Sequence, residues 1–166
     1  MQFEEITISA IVALIIAYSA VYFDRWLGAR QDYRQRVQGL KAEVRENQNR
    51  AREILVFTAK ELELLKSQKY SLGVVPRLSV EVWKTVYMRG YPLKFPPELR
   101  DGLQLYYRFV GTINIVERSR EKLIFGTMIE GEPFYNMLRK VDESTMKILQ
   151  EYLFRLGKEV DELIKV

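Results

Sequence analysis

The chain has 166 residues, 29% of them charged, with a net charge of +4 and neither cysteine nor histidine. That length holds one domain plus a short appended segment and excludes two ordinary domains. Without cysteine there are no disulfides or thiol nucleophiles, and without histidine the commonest general base and metal ligand are missing.

The first element reads as a membrane span. Ile6 to Phe23, ITISAIVALIIAYSAVYF, carries no charge. These eighteen residues would rise roughly 27 Å as a helix, close to a hydrocarbon core of about 30 Å. Tyr18, Tyr22, Phe23 and Trp26 gather at one end, where amphipathic rings settle at the headgroup level. A signal peptide fits less well, because Glu4 and Glu5 stand where its basic residues belong. Beyond the span come Arg25, Arg30, Arg34, Arg36 and Lys41 against only Asp24 and Asp32. This asymmetry predicts a single pass through the cell membrane, with the N-terminus outside and the C-terminal domain cytoplasmic. Residues 1–27 are the expected anchor and 28–166 the expected cytoplasmic helical bundle.

Two sets of anchor residues are candidate contacts. Arg25, Arg30, Arg34 and Arg36 suit anionic lipid headgroups, at about 1 kcal/mol per well-placed cation. Ala10, Ala13, Ala17 and Ala20 fall on one helix face and include a small-xxx-small pair, which lets helices approach closely in lipid.

Past the anchor, Tyr33, Val37, Leu40, Val44, Asn47, Ala51, Ile54, Thr58, Leu62 and Leu65 recur at three- and four-residue steps, with no proline before Pro76. The spacing predicts one helix from about Glu4 to Tyr70, continuing as a stalk, with Gly73 as a stop signal. Ser79 is the expected N-cap of a short helix through about Met88, with Glu81 in its first turn. Pro97 opens a third helix, whose apolar stripe runs through Leu99, Leu103, Tyr106, Val110, Ile113, Ile115 and Val116. Pro133 starts the last, with Phe134, Met137, Leu138, Val141, Ile148, Leu149, Tyr152, Leu153, Leu156, Val160 and Leu163 on its apolar face. The expected fold is all-α, a transmembrane helix leading into a stalk and a small antiparallel bundle.

Several local patterns go together. They are Leu40-x-x-Glu43-Val44-x-x-Asn47, Leu78-Ser79-x-x-x-Trp83, Pro97-x-Leu99, Tyr106-Tyr107 and Ile113-Asn114. With the apolar helix ahead of them, these resemble a broad group of uncharacterised prokaryotic single-pass membrane proteins with a small helical cytoplasmic domain. The resemblance covers residues 4 to 120. It implies the architecture, and it implies no activity.

Catalytic patterns are missing. No histidine can complete a di-iron, zinc or triad arrangement, and the glycines form no phosphate-binding loop. Glu61/Glu63 and Asp142/Glu143 sit at spacings that point apart on a helix. Asn47 and Asn114 interrupt apolar stripes, either facing water or satisfying each other across two helices. Trp83, Tyr87, Tyr91 and Phe95, interleaved with Lys84, Arg89 and Lys94, form either a small satellite core or a surface for nucleic acid or acidic lipid. Without a recognised motif, nucleic acid is not an expected partner. The sequence therefore predicts a non-catalytic, membrane-tethered interaction or scaffolding protein without cofactor or metal. Its expected partners are membrane lipid and either another protein or a second copy. An accessory subunit of a channel or transporter, or a small-ligand sensor bundle, are the alternatives.

Overall fold

The computed structural model describes residues 2–73, 75–126 and 131–164, and the side chains of residues 2–12 and of Leu93 lie outside that description. All regular structure among the described residues is helical: α1 (Gln2–Lys66), α2 (Glu81–Met88), α3 (Pro97–Gly126), α4 (Glu132–Ile148) and α5 (Phe154–Leu163). A 3-10 turn (Tyr91–Lys94) follows α2, and a π turn (Leu149–Leu153) joins α4 to α5 without a break. The chain divides within α1 into two units, Met1–Val37 and Gln38–Val166.

In the first unit every side chain from Ala13 to Arg30 is exposed, including Leu14, Ile16, Tyr18 and Phe23. Phe23 stacks on Trp26 at 5.9 Å between ring centroids, and the Arg30 guanidinium lies 5.2 Å over the same indole. Among the described residues no helix is long and apolar enough to cross a membrane. The expected span begins at Ile6, within the stretch whose side chains are not described.

The second unit is built on the predicted stripes. Leu40, Val44, Ala51, Ile54 and Leu65 of α1 are buried, as are Leu99, Leu103, Tyr106, Val110 and Ile113 of α3. Ile115 is the exception on α3, 64% exposed, because it falls off the face that its neighbour Ile113 presents. At one end Leu65, Phe134 and Leu138 form a core joined by Leu62, Leu123, Ile124 and Tyr135.

α1 ends at Lys66, short of the expected Tyr70, and the stop signal is not Gly73. Gln68 takes the left-handed position (φ 53°), with Lys69 N–H bonded to Leu64 O and Gln68 N–H to Leu65 O. That is a Schellman closure with glutamine where glycine is the usual occupant. Gly73 instead makes room for a neighbouring side chain, since a Cβ there would lie 2.7 Å from the Phe57 ring.

The run from α4 through α5 carries its buried residues at Phe134, Leu138, Asp142, Thr145, Leu149, Leu153, Leu156, Val160 and Ile164. Eight steps cover thirty residues from Phe134 to Ile164, about 3.75 per step against 3.6 for an α-helix. The stripe would drift by roughly 120° on a straight α-helix, and the wider π turn at its middle takes most of that back.

Candidate functional site

The interior of the second unit holds an unusual amount of polarity: Glu43, Asn47, Thr58, Glu61, Glu117, Arg120, Asp142 and Thr145 are all buried. All but Thr58 fall into two clusters.

The first is centred on Glu43, which α1 delivers to the start of α2. Its carboxylate accepts bonds from Val82 N–H (3.0 Å), Trp83 N–H (3.1 Å), the Ser79 hydroxyl (2.7 Å) and the Tyr107 hydroxyl (2.6 Å). Glu43 thus caps α2 from another helix. The residue at the N-cap position is Val80, which has no side-chain cap to give, while the hydroxyl of Ser79, the expected cap, donates to Glu43 and accepts from Glu81 N–H at 3.4 Å. A carboxylate at a helix N-terminus also suits the helix dipole.

Beside it, Asn47 donates to Ser79 O (2.8 Å) and accepts from Ser79 N–H (2.7 Å). From the opposite side, Asn114 accepts from Leu78 N–H (3.0 Å) and donates to Leu78 O (2.9 Å). The two amides neither pair with each other nor face water alone. Each clamps the N–H and C=O of one of two consecutive residues, fixing a strip of chain between α1 and α3. Trp83 then stacks on Tyr107 at 4.9 Å, with ring planes 3° apart. Burial raises the hydroxyl pKa of both Tyr106 and Tyr107 well above the usual phenol range, and the Glu43 carboxylate raises Tyr107 further. Of the aromatic and basic group in and after α2, Phe95 is buried and Trp83 half-buried, while Tyr87 stays exposed.

The second cluster surrounds Arg120 of α3. Its Nη2 donates to Glu61 Oε2 (2.7 Å), its Nε to Asp142 Oδ1 (3.1 Å) and its Nη1 to Gly73 O (3.4 Å). The guanidinium lies 4.8 Å over the Phe57 ring. Ser71 N–H donates to both Glu61 oxygens, and Thr145 Oγ1 donates to Glu117 Oε1 (2.9 Å). Asp142 Oδ2 is buried and has no hydrogen-bond partner. Burial pushes the Asp142 carboxyl up to about 7, against the pull of Arg120 and with added push from Glu117 and Glu61. Burial likewise raises Glu117, opposed by Thr145 and Arg120. Among the described residues no group of three or more acidic side chains is arranged to hold a metal ion.

Two surface clefts border α1. One of about 360 Å³ between α1 and α5 is lined by Arg45, Gln48, Arg52, Gly157, Lys158 and Asp161. Arg45 bonds both oxygens of Asp161, and Gln48 reaches past Gly157 to the Leu153 carbonyl at 3.2 Å. A Cβ at position 157 would overlap the Gln48 amide, so with any other residue there the Gln48 side chain would have to move. The other, about 500 Å³, lies between α1 and α4 along Leu62, Lys66, Arg139, Glu143 and Met146.

Ala13, Ala17 and Ala20 are exposed on α1, and the side chain of Ala10 lies outside the described residues. Arg25 and Arg34 are exposed, Arg30 rests on Trp26, and Arg36 pairs with Asp32 at 2.9 Å. The pairs Glu61/Glu63 and Asp142/Glu143 do point apart. Glu63 and Glu143 are exposed, while Glu61 and Asp142 turn inward and meet at Arg120. Comparison with protein-family models, curated proteins and solved structures finds no match to this chain.

Proposed function

We propose that the chain is a membrane-tethered helical interaction or scaffolding protein with no catalytic activity of its own. The supporting observation is the apolar run Leu14 to Phe23, exposed along its whole length and followed by Trp26, which stacks on Phe23 among arginines. An exposed apolar surface of that kind is costly in water and favourable in hydrocarbon. Arg25, Arg30, Arg34 and Arg36 would meet anionic headgroups, and the alanine face would meet a second copy or a partner's helix. The N-terminus then lies outside and residues 28–166 lie in the cytoplasm, the arrangement of the prokaryotic single-pass group that the sequence resembles.

The polar groups of the interior support the non-catalytic part. Glu43, Asn47, Asn114 and Glu61 are engaged in holding backbone segments.

Membrane fractionation of the full chain tests the anchor. The wild type is expected to stay with membranes through alkaline carbonate, and an Ile15→Lys/Ile16→Lys variant to be released. A wild-type chain that is freely soluble without detergent overturns the proposal. Because the sequence has no cysteine, Ala13→Cys and Ala17→Cys give clean crosslinking probes of the alanine face. Purification in mild detergent followed by mass spectrometry then separates integral from soluble partners.

A further inference from the structure

The Arg120 cluster brings one guanidinium against three carboxylates, Glu61 from α1, Glu117 from α3 and Asp142 from α4, each of them buried. One cation cannot balance three anions in a medium that solvates charge poorly, so the cluster is short of positive charge. The three carboxyl groups are not equally supplied with donors. Glu61 accepts from Arg120 and from Ser71 N–H at both oxygens. Glu117 accepts from the Thr145 hydroxyl. Asp142 has Arg120 at Oδ1 and nothing at Oδ2. Negative charge is least stabilised where a buried oxygen lacks a donor.

We propose that Asp142 is a proton-binding site inside the bundle, and that release of its proton loosens the packing of α4 on α1 and α3. The charged groups that decide this are Arg120, which favours the anion, and Glu61 and Glu117, which oppose it, with Glu121 acting on Glu117. A proton removes one of the three negative charges and leaves the Arg120–Glu61 pair intact. The carboxyl titrates near 7 in the folded chain, against an ordinary value of 3.8. Folded chains therefore hold a proton that unfolded chains have lost between these limits, and stability falls as pH rises through that window. Above about pH 7 the loss is complete. The site is thus poised to respond to small changes around neutrality, separately from whether the chain is anchored in a membrane.

The test uses the full chain in detergent micelles. Wild-type Tm is expected to fall by several degrees between about pH 5 and pH 8, and Asp142→Asn to remove most of that slope and to melt higher than wild type at pH 8. Difference infrared spectroscopy reads the proton directly: a protonated-carboxyl band present near pH 6 and gone near pH 8.5, absent in Asp142→Asn and, in Glu117→Gln, retained but titrating at lower pH. The wild-type infrared titration and the Glu117→Gln spectrum carry the test even if Asp142→Asn fails to fold. A wild type without the band at pH 6, a band that survives Asp142→Asn, or one that is missing at every pH in Glu117→Gln overturns the assignment.

Discussion

Replacing Glu43 puts the interhelical cap to a quantitative test. In Glu43→Leu, Val82 and Trp83 N–H at the start of α2 and the Ser79 and Tyr107 hydroxyls all lose their acceptor. Loss of a helix cap costs about 1 kcal/mol, and each stranded buried hydroxyl about 1 kcal/mol more. Burying a leucine returns a little of this, so a net loss of about 2 kcal/mol is expected. Glu43→Gln keeps one acceptor oxygen. Whichever oxygen its amide nitrogen replaces, the nitrogen faces one hydroxyl, of Ser79 or Tyr107, which can turn to accept, and one peptide N–H, which cannot, and a loss of about 1 kcal/mol is expected. Urea unfolding in micelles followed by tryptophan fluorescence gives both numbers, and amide exchange at Val82 and Trp83 locates the effect. If Glu43→Leu cost less than about 1 kcal/mol and left exchange in α2 unchanged, the capping argument would fail.

Three other substitutions probe the second unit. Arg120→Met strands Glu61 and Asp142 and is expected to cost about 3–5 kcal/mol in urea unfolding, less at pH 5 than at pH 8 because protonation removes one of the stranded charges. Asn47→Leu leaves both Ser79 backbone groups unpaired and should lose about 2 kcal/mol, whereas a raised Tm would mean the amide is dispensable. Gln68→Gly relieves a left-handed backbone and should gain up to about 1 kcal/mol by the same measurement, with no gain counting against strain at that turn.

Much of the helical layout is legible in the sequence because its signals are local. Pro97 and Pro133 mark helix starts, and three- and four-residue steps mark the buried faces. The end of α1 is less legible because Gln68, not a glycine, makes the turn. The polar clusters are visible only in part. Asn47 and Asn114 stand out as amides on apolar stripes, yet their partners are backbone groups about thirty residues away in sequence, which no spacing encodes. Glu43, Glu61, Glu117, Arg120 and Asp142 give a subtler signal, charges in phase with the stripe of their own helix. Arg120 follows Ile113 and Glu117 at the same three- and four-residue steps as the leucines before them. A charge in that position predicts a buried partner without naming it. Glu43, Asn47, Ser79, Trp83, Tyr107 and Asn114 all belong to the local patterns that carry the resemblance, and the fold gathers them around one strip of chain and the helix that follows it.

The π turn has a consequence for how the bundle assembles. A peptide of residues 131–164 alone lacks Gln48, which reaches the Leu153 carbonyl through the gap at Gly157, and lacks the apolar surface that the stripe must meet. Left to local preference it would close into regular α-helix and wind its oily edge around the axis. The winding of that last segment is therefore imposed by its neighbours, so its final register should be among the later things to settle as the protein folds.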